Sequence, residues 1–123
     1  LINKILQAKL NKKNSINLMG TGKPYRQFMY THDLAKAIKV LLMSYSEPFI
    51  YNIANPENKT IREIAEVALN SCGASHLKIN WNKSKPDGQF RKDISSDKFL
   101  SKHPDFKFTT LGDGIERVYN KLK

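Results

Sequence analysis

Hydrophobic residues at Leu1, Ile2, Ile5, Leu6 and Leu10 recur at the three- and four-residue intervals that share one side of a helix, so the pattern predicts a helix over residues 1–12. The period then changes. Ile16 to Met19 is an apolar run of strand length, closed by Gly20-Thr21-Gly22-Lys23-Pro24, where glycine freedom and proline rigidity both favour a turn. Gln27 to Tyr30 predicts a return to extended chain. Thr31 is placed to cap a helix with Asp33 in its first turn and an inward face of Leu34, Ala37, Ile38, Leu41 and Leu42. Phe49 to Ile53 predicts a strand. Thr60-Ile61-Arg62-Glu63 is a capping box, and it opens a helix with Ile61, Ile64, Ala65, Ala68 and Leu69 inward and Gly73 as its stop.

Further on, Leu77, Ile79 and Trp81 alternate with Lys78 and Asn80, which predicts a strand with one buried face. The polar stretch from Asn82 to Lys92 predicts a loop. Ser95 or Ser96 is placed to cap a short helix through Leu100, and Thr110 to cap a last helix carrying Ile115, Val118 and Leu122. Short strands alternating with helices define an α/β class, but four short strands make an incomplete sheet. The order therefore predicts that residues 1–123 are one part of a larger fold. There are no internal repeats and no low-complexity tail.

Composition narrows the class. Of the 123 residues, 40% are hydrophobic and 26% charged, a mix that builds a folded domain rather than a disordered tail. The longest aliphatic run, Val40-Leu41-Leu42-Met43, is far short of the ~20 residues of a membrane span. The single Cys72 excludes an internal disulfide framework and points to a reducing, cytoplasmic location. The chain starts at Leu1, inside a helical pattern and without signal-peptide grammar, so an N-terminally truncated fragment is expected. Twenty-one Lys and Arg against eleven Asp and Glu give a net charge of +10. That charge is spread along the chain without interleaved aromatics, so no nucleic-acid partner is expected, and a basic RNA-binding domain is the weakest of the alternatives. The four arginines, Arg26, Arg62, Arg91 and Arg117, are scarce against this lysine background.

Three features could carry chemistry. Arg26 follows a rigid turn and presents a planar fork suited to a phosphate or carboxylate, though by itself it reads slightly better as a surface arginine. Asp87, in Lys83-Ser84-Lys85-Pro86-Asp87-Gly88-Gln89-Phe90-Arg91-Lys92, is either a turn residue or an acceptor for sugar hydroxyls. Tyr119 and Lys123 have the Tyr-x-x-x-Lys spacing of short-chain dehydrogenases, but that lysine ends the chain and no dinucleotide site precedes it, so a catalytic role is rejected. Gly20-Thr21-Gly22 lacks the third glycine of a dinucleotide fingerprint. Cys72, His32, His76 and His103 have no metal-ligand spacing, and neither a catalytic nor a metal site is expected.

Taken in order and spacing, Gly20-Thr21-Gly22-Lys23-Pro24-Tyr25-Arg26-Gln27-Phe28, Thr60-Ile61-Arg62-Glu63, Lys85-Pro86-Asp87-Gly88-Gln89-Phe90-Arg91-Lys92 and Pro104-Asp105-Phe106-Lys107-Phe108 resemble the C-terminal part of the GDP-L-fucose synthases. These belong to the extended short-chain dehydrogenase/reductases. The resemblance spans essentially the whole chain and implies its substrate-binding part, with the Rossmann half, which holds NADPH and the catalytic residues, absent. It implies a GDP-sugar substrate, GDP-4-keto-6-deoxy-D-mannose, that is epimerised and then reduced to GDP-L-fucose. The isolated fragment is expected to be inactive, and the complete enzyme to form a homodimer through the missing half. By motif, Lys4 and Arg26 match contacts to the nucleotide sugar, and Asp87 and Lys92 match further substrate contacts. Lys4 and Arg26 would neutralise the diphosphate, Asp87 would accept hydrogen bonds and Lys92 would add positive charge, at roughly 1.5–3 kcal/mol for each charge-assisted bond. Met19 stands where the family has a tryptophan against the substrate. The alternatives are a free-standing nucleotide-sugar binding module or a relic of another sugar-nucleotide epimerase or reductase.

Overall fold

The computed structural model describes residues 1–44 and 50–123. The first helix, α1 (Ile2–Leu10), leads into β1 (Ser15–Met19) and then β2 (Tyr25–Gln27). Helix α2 (Thr31–Ser44) follows, then β3 (Asn58–Thr60), α3 (Ile61–Ser71), β4 (Lys78–Asn82), α4 (Asp97–Lys102) and α5 (Leu111–Leu122). Strands β1 and β4 pair in parallel, with Ile16 opposite Ile79 and Leu18 opposite Trp81, while β2 and β3 pair antiparallel, with Arg26 opposite Lys59. Among the described residues these are two separate two-stranded sheets. The α/β class read from the sequence is what the chain adopts.

The core lies where α1, α3 and α5 close over one face of the parallel pair. Ile5, Ala8, Ile16, Ala68, Leu69, Cys72, Ala74, Leu77, Ile115 and Tyr119 form it. Helix α3 begins as its capping box requires: Thr60 accepts the Glu63 N–H at 3.1 Å, and Glu63 accepts the Thr60 N–H at 2.7 Å. Its inward face, Ile64, Ala65, Ala68 and Leu69, is the expected one except for Ile61, which at the first turn is only half-buried. Thr110 likewise caps α5 by accepting the Asp113 N–H at 3.2 Å. The buried Cys72 sits at the C-terminal cap of α3, where removal from water pushes its thiol pKa up. Tyr119 is likewise a core residue, with the Lys9 and Lys123 ammonium groups 5.1 Å and 4.6 Å from its ring centroid.

Elsewhere the structure departs from the pattern. In α1 the buried stripe runs through Ile5 and Ala8, while Leu1 and Leu10 are exposed, and in α5 Leu122 is exposed as the helix ends beyond its neighbours. The second extended segment starts two residues earlier than expected, because Tyr25 to Gln27 have a partner in β3 and Phe28 to Tyr30 have none. Thr31 is the first residue of α2 rather than its cap. Residues 50–53 form no strand, Phe49 lies outside the described residues, and the strand in this region is β3. Of the two serines expected at the start of α4, Ser95 accepts the Asp97 N–H at 3.1 Å, whereas Ser96 stands at the N-cap position without capping. Its hydroxyl accepts the Ala54 N–H at 2.6 Å and donates to the Ala54 carbonyl at 2.7 Å, pairing two segments as a strand would.

The largest departure is α2. Ala37 is buried, but Leu34, Ile38 and Leu42 are 37%, 47% and 79% exposed, so its apolar row faces outward. What α2 buries instead is Asp33. This carboxylate is fully buried and accepts the Thr109 N–H at 2.6 Å and the Thr109 hydroxyl at 2.9 Å, tying the start of α2 to the segment before α5. No helix among the described residues is long and apolar enough to cross a membrane.

Candidate functional site

The turn between β1 and β2 is built on the N-terminus of α3. The first N–H groups of a helix have no partner within it. Here the Ile61 N–H is accepted by the Pro24 carbonyl and the Arg62 N–H by the Gly22 carbonyl, both at 2.9 Å. Gly20 and Gly22 have φ of +81° and +78°, a backbone region that only glycine enters without strain. At Gly22 a Cβ would lie 2.7 Å from Trp81 Cη2, so the indole packs directly on the backbone. Arg62 completes the support: its guanidinium lies 4.9 Å over the Trp81 ring, and its Nη2 donates to the Thr21 carbonyl at 3.1 Å. A stiff chain therefore leads straight into β2 and Arg26.

The loop after β4 lies along the open side of β2. Tyr25 donates its N–H to the Phe90 carbonyl at 2.8 Å, and the two rings meet edge to face at 5.9 Å. Gln27 uses both ends of its amide on Ile94, accepting its N–H at 2.8 Å and donating to its carbonyl at 3.0 Å. Asp93 accepts from Asn58 and pairs with Arg91, whose hydrogen bond is the main reason its pKa falls below the usual carboxylate range. These bonds draw Lys92 to the same cleft as Arg26.

That cleft has a volume of about 290 Å³ and includes Arg26, Gln27, Met29, Ile53, Asn55 and Lys92. Two cations and no carboxylate line it, so the local field selects an anion. Arg26 is half-buried, and its Nη1 donates to the Tyr25 carbonyl at 2.5 Å, which orients the guanidinium. The Asn55 side chain is committed to its own loop: Oδ1 accepts the Glu57 N–H at 2.9 Å and Nδ2 donates to the Thr109 carbonyl at 3.2 Å. The chemistry available at the cleft is binding and orientation. Among the described residues no group of three or more potential metal ligands converges.

The five residues singled out in the sequence do not form one cluster. Arg26 and Lys92 share the cleft. Asp87 faces the turn rather than the cleft, with Oδ1 accepting the Thr21 N–H at 2.5 Å and Oδ2 the Thr21 hydroxyl at 2.6 Å. These two bonds, the hydroxyl first, hold its pKa below the usual carboxylate range. Lys4 lies in a separate polar groove between α1 and β1, where its Nζ donates to the Asn17 carbonyl at 3.0 Å. Met19, at the end of β1, is 69% exposed. Sequence reasoning missed Thr21, Trp81 and Arg62 as supports of the turn. The scarcity of arginine marked Arg62, but no local pattern pairs it with residues 41 and 19 positions away.

A family model described as GDP-mannose 4,6 dehydratase matches residues 1–110. GDP-L-fucose synthase 1 of Arabidopsis thaliana is 36% identical over 98% of this chain, which spans only 36% of that relative. The crystal structure of a GDP-L-fucose synthetase from Naegleria fowleri superposes on 98% of this chain with a TM-score of 0.89 and 28% identity. The same enzyme bound to NADP superposes with a TM-score of 0.88 at 27% identity over 97% of this chain. In both cases the chain covers 36% of the solved protein, so it spans about a third of the relatives it matches.

Proposed function

Since the chain belongs to the GDP-mannose 4,6 dehydratase family, we propose that it is the nucleotide-sugar-binding portion of a GDP-L-fucose synthase, the C-terminal part of an extended short-chain dehydrogenase/reductase. The observation that carries this reading is the convergence of Arg26 and Lys92 on one cleft beside a braced turn. The two cations bind the diphosphate of a GDP-sugar. Arg26 does so through a fork that its bond to Tyr25 has already oriented, so little entropy is lost on binding. Lys4 adds charge from α1, and Met19 offers a polarizable contact at the end of β1.

In this reading the substrate is GDP-4-keto-6-deoxy-D-mannose. Epimerisation, and hydride transfer from NADPH to the ketone, take place in the portion of the relatives that this chain does not span, so residues 1–123 contribute binding and no catalytic residue. The outward apolar row Leu34, Ile38 and Leu42 supports this, because a row of that kind on a folded domain marks a surface that packs on something else. The reading carries with it a homodimer formed through the other portion and a cytoplasmic location.

The test is calorimetric titration of the intact gene product with GDP. Arg26→Ala weakens binding at least tenfold, about 1.4 kcal/mol. Unchanged affinity sinks the role of Arg26. A second reading is a free-standing nucleotide-sugar binding module. The intact mass of the gene product separates the two, since a module weighs 14.1 kDa and a reductase far more.

A further inference from the structure

Every polar backbone and side-chain group of Thr21 is occupied, and its bonds join the turn to two distant segments of the chain. Its N–H and hydroxyl are held by Asp87, its carbonyl by Arg62, and its Oγ1 also accepts the Lys23 N–H at 3.2 Å. A Cβ on Gly20 would overlap Asp87 Oδ1, so the carboxylate packs against bare backbone. Asp87 is exposed, yet both its oxygens point at one residue across 66 positions of sequence. Next to it, Gly88 brings the loop to Arg26: a Cβ there would lie 4.0 Å from Nη2. From that point the loop is stitched along β2 by the Phe90 carbonyl and Ile94. Downstream of Asp87 the loop is held by backbone and amide bonds and by Asp93, whereas the upstream anchor is a single carboxylate accepting two hydrogen bonds from one residue of the turn.

We propose that Asp87 is a positioning residue that acts through Thr21: the pair is a latch pinning residues 83–92 along β2, so that Arg26 and Lys92 converge on the same anionic group. The inference rests on the nucleotide-sugar reading of the cleft. A carboxylate free to face the cleft would repel a diphosphate and cancel part of the charge of Arg26 and Lys92. Held on Thr21, it fixes the cations without facing their ligand. Thr21 supplies the specific part, since every residue but proline has an N–H but only threonine or serine adds the hydroxyl at this reach.

The experiment titrates the intact protein with GDP and compares Thr21→Val, Thr21→Ser, Asp87→Asn and the Thr21→Val/Asp87→Asn double variant. Acting through Thr21, Asp87→Asn and Thr21→Val each weaken GDP binding about fivefold, the double variant is no worse than either alone, and Thr21→Ser retains the affinity of the unaltered protein. A direct contact gives a different result: Asp87→Asn weakens binding while Thr21→Val does not, or the two losses multiply, and either outcome overturns the latch. Hydrogen exchange supplies a second readout that needs no ligand. Asp87→Asn speeds exchange at the Thr21 and Tyr25 amides, and unchanged exchange there also overturns the proposal. Failure of the unaltered protein to bind GDP would instead overturn the functional reading, leaving the latch to be decided by exchange alone.

Discussion

Replacing Asp33 tests how the site is held together, because this buried carboxylate carries the only side-chain bonds described between α2 and the segment before α5. In Asp33→Ala the Thr109 N–H and hydroxyl lose the carboxylate oxygens that accept them at 2.6 Å and 2.9 Å. Hydrogen bonds to a charged group contribute about 1.5–3 kcal/mol each, and the vacated space cannot be filled by water without a path in. The exposed Lys36, 3.7 Å from the carboxylate, adds little. The expected loss is therefore about 3–5 kcal/mol, a large share of the roughly 5–15 kcal/mol that stabilises a domain. Asp33→Asn keeps one acceptor oxygen but turns an NH₂ toward the second donor, so it costs about half as much. With a denaturant slope of about 2 kcal/mol/M, Asp33→Ala lowers the urea midpoint by about 2 M in circular dichroism. The cycle with Thr109→Val isolates the hydroxyl bond and should show a coupling of about 1 kcal/mol or more. A loss under 1 kcal/mol for Asp33→Ala, or strict additivity with Thr109→Val, would refute the reasoning.

Thr60→Ala removes the acceptor of the α3 capping box and lowers stability by about 1 kcal/mol, checked by urea unfolding. Glu63, Asp87 and Asp93 all have pKa values below the usual carboxylate range, chiefly through the hydroxyls of Thr60 and Thr21 and the guanidinium of Arg91. A carboxylate lowered on folding contributes stability that is complete above its unfolded value and is lost as pH falls through its folded value. The urea midpoint should thus stay level from pH 7 to about 5 and fall below about 4, and Glu63→Gln should make that fall shallower; a midpoint unchanged at pH 3 contradicts this. Gly22→Ala forces a left-handed residue against the Trp81 indole, and it lowers both the thermal midpoint and the affinity for GDP. Normal values of both in that variant would show that the turn yields.

What could be read directly was whatever depends on neighbours in sequence. The capping box at Thr60, the cap at Thr110 and the glycine turn before β2 are decided within about five residues, and the structure contains all three. The order and spacing of the motifs were enough to point to the family. The site was legible only in part. Arg26 and Lys92 do share a cleft, but they are joined by bonds such as Gln27 to Ile94, across 67 positions, that no periodicity announces.

The sequence by itself therefore determined the α/β class, the start of α3 and α5, and a rigid turn aimed at an arginine, since torsional preference and helix capping act locally. Tertiary structure alone decided that Asp33 is buried on Thr109, that Ser96 binds Ala54 instead of capping α4, and that the apolar row of α2 faces outward. A hydroxyl or carboxylate carries no mark of which distant donor it will meet. An apolar row shows only that something covers it, and what covers it is set by the rest of the fold.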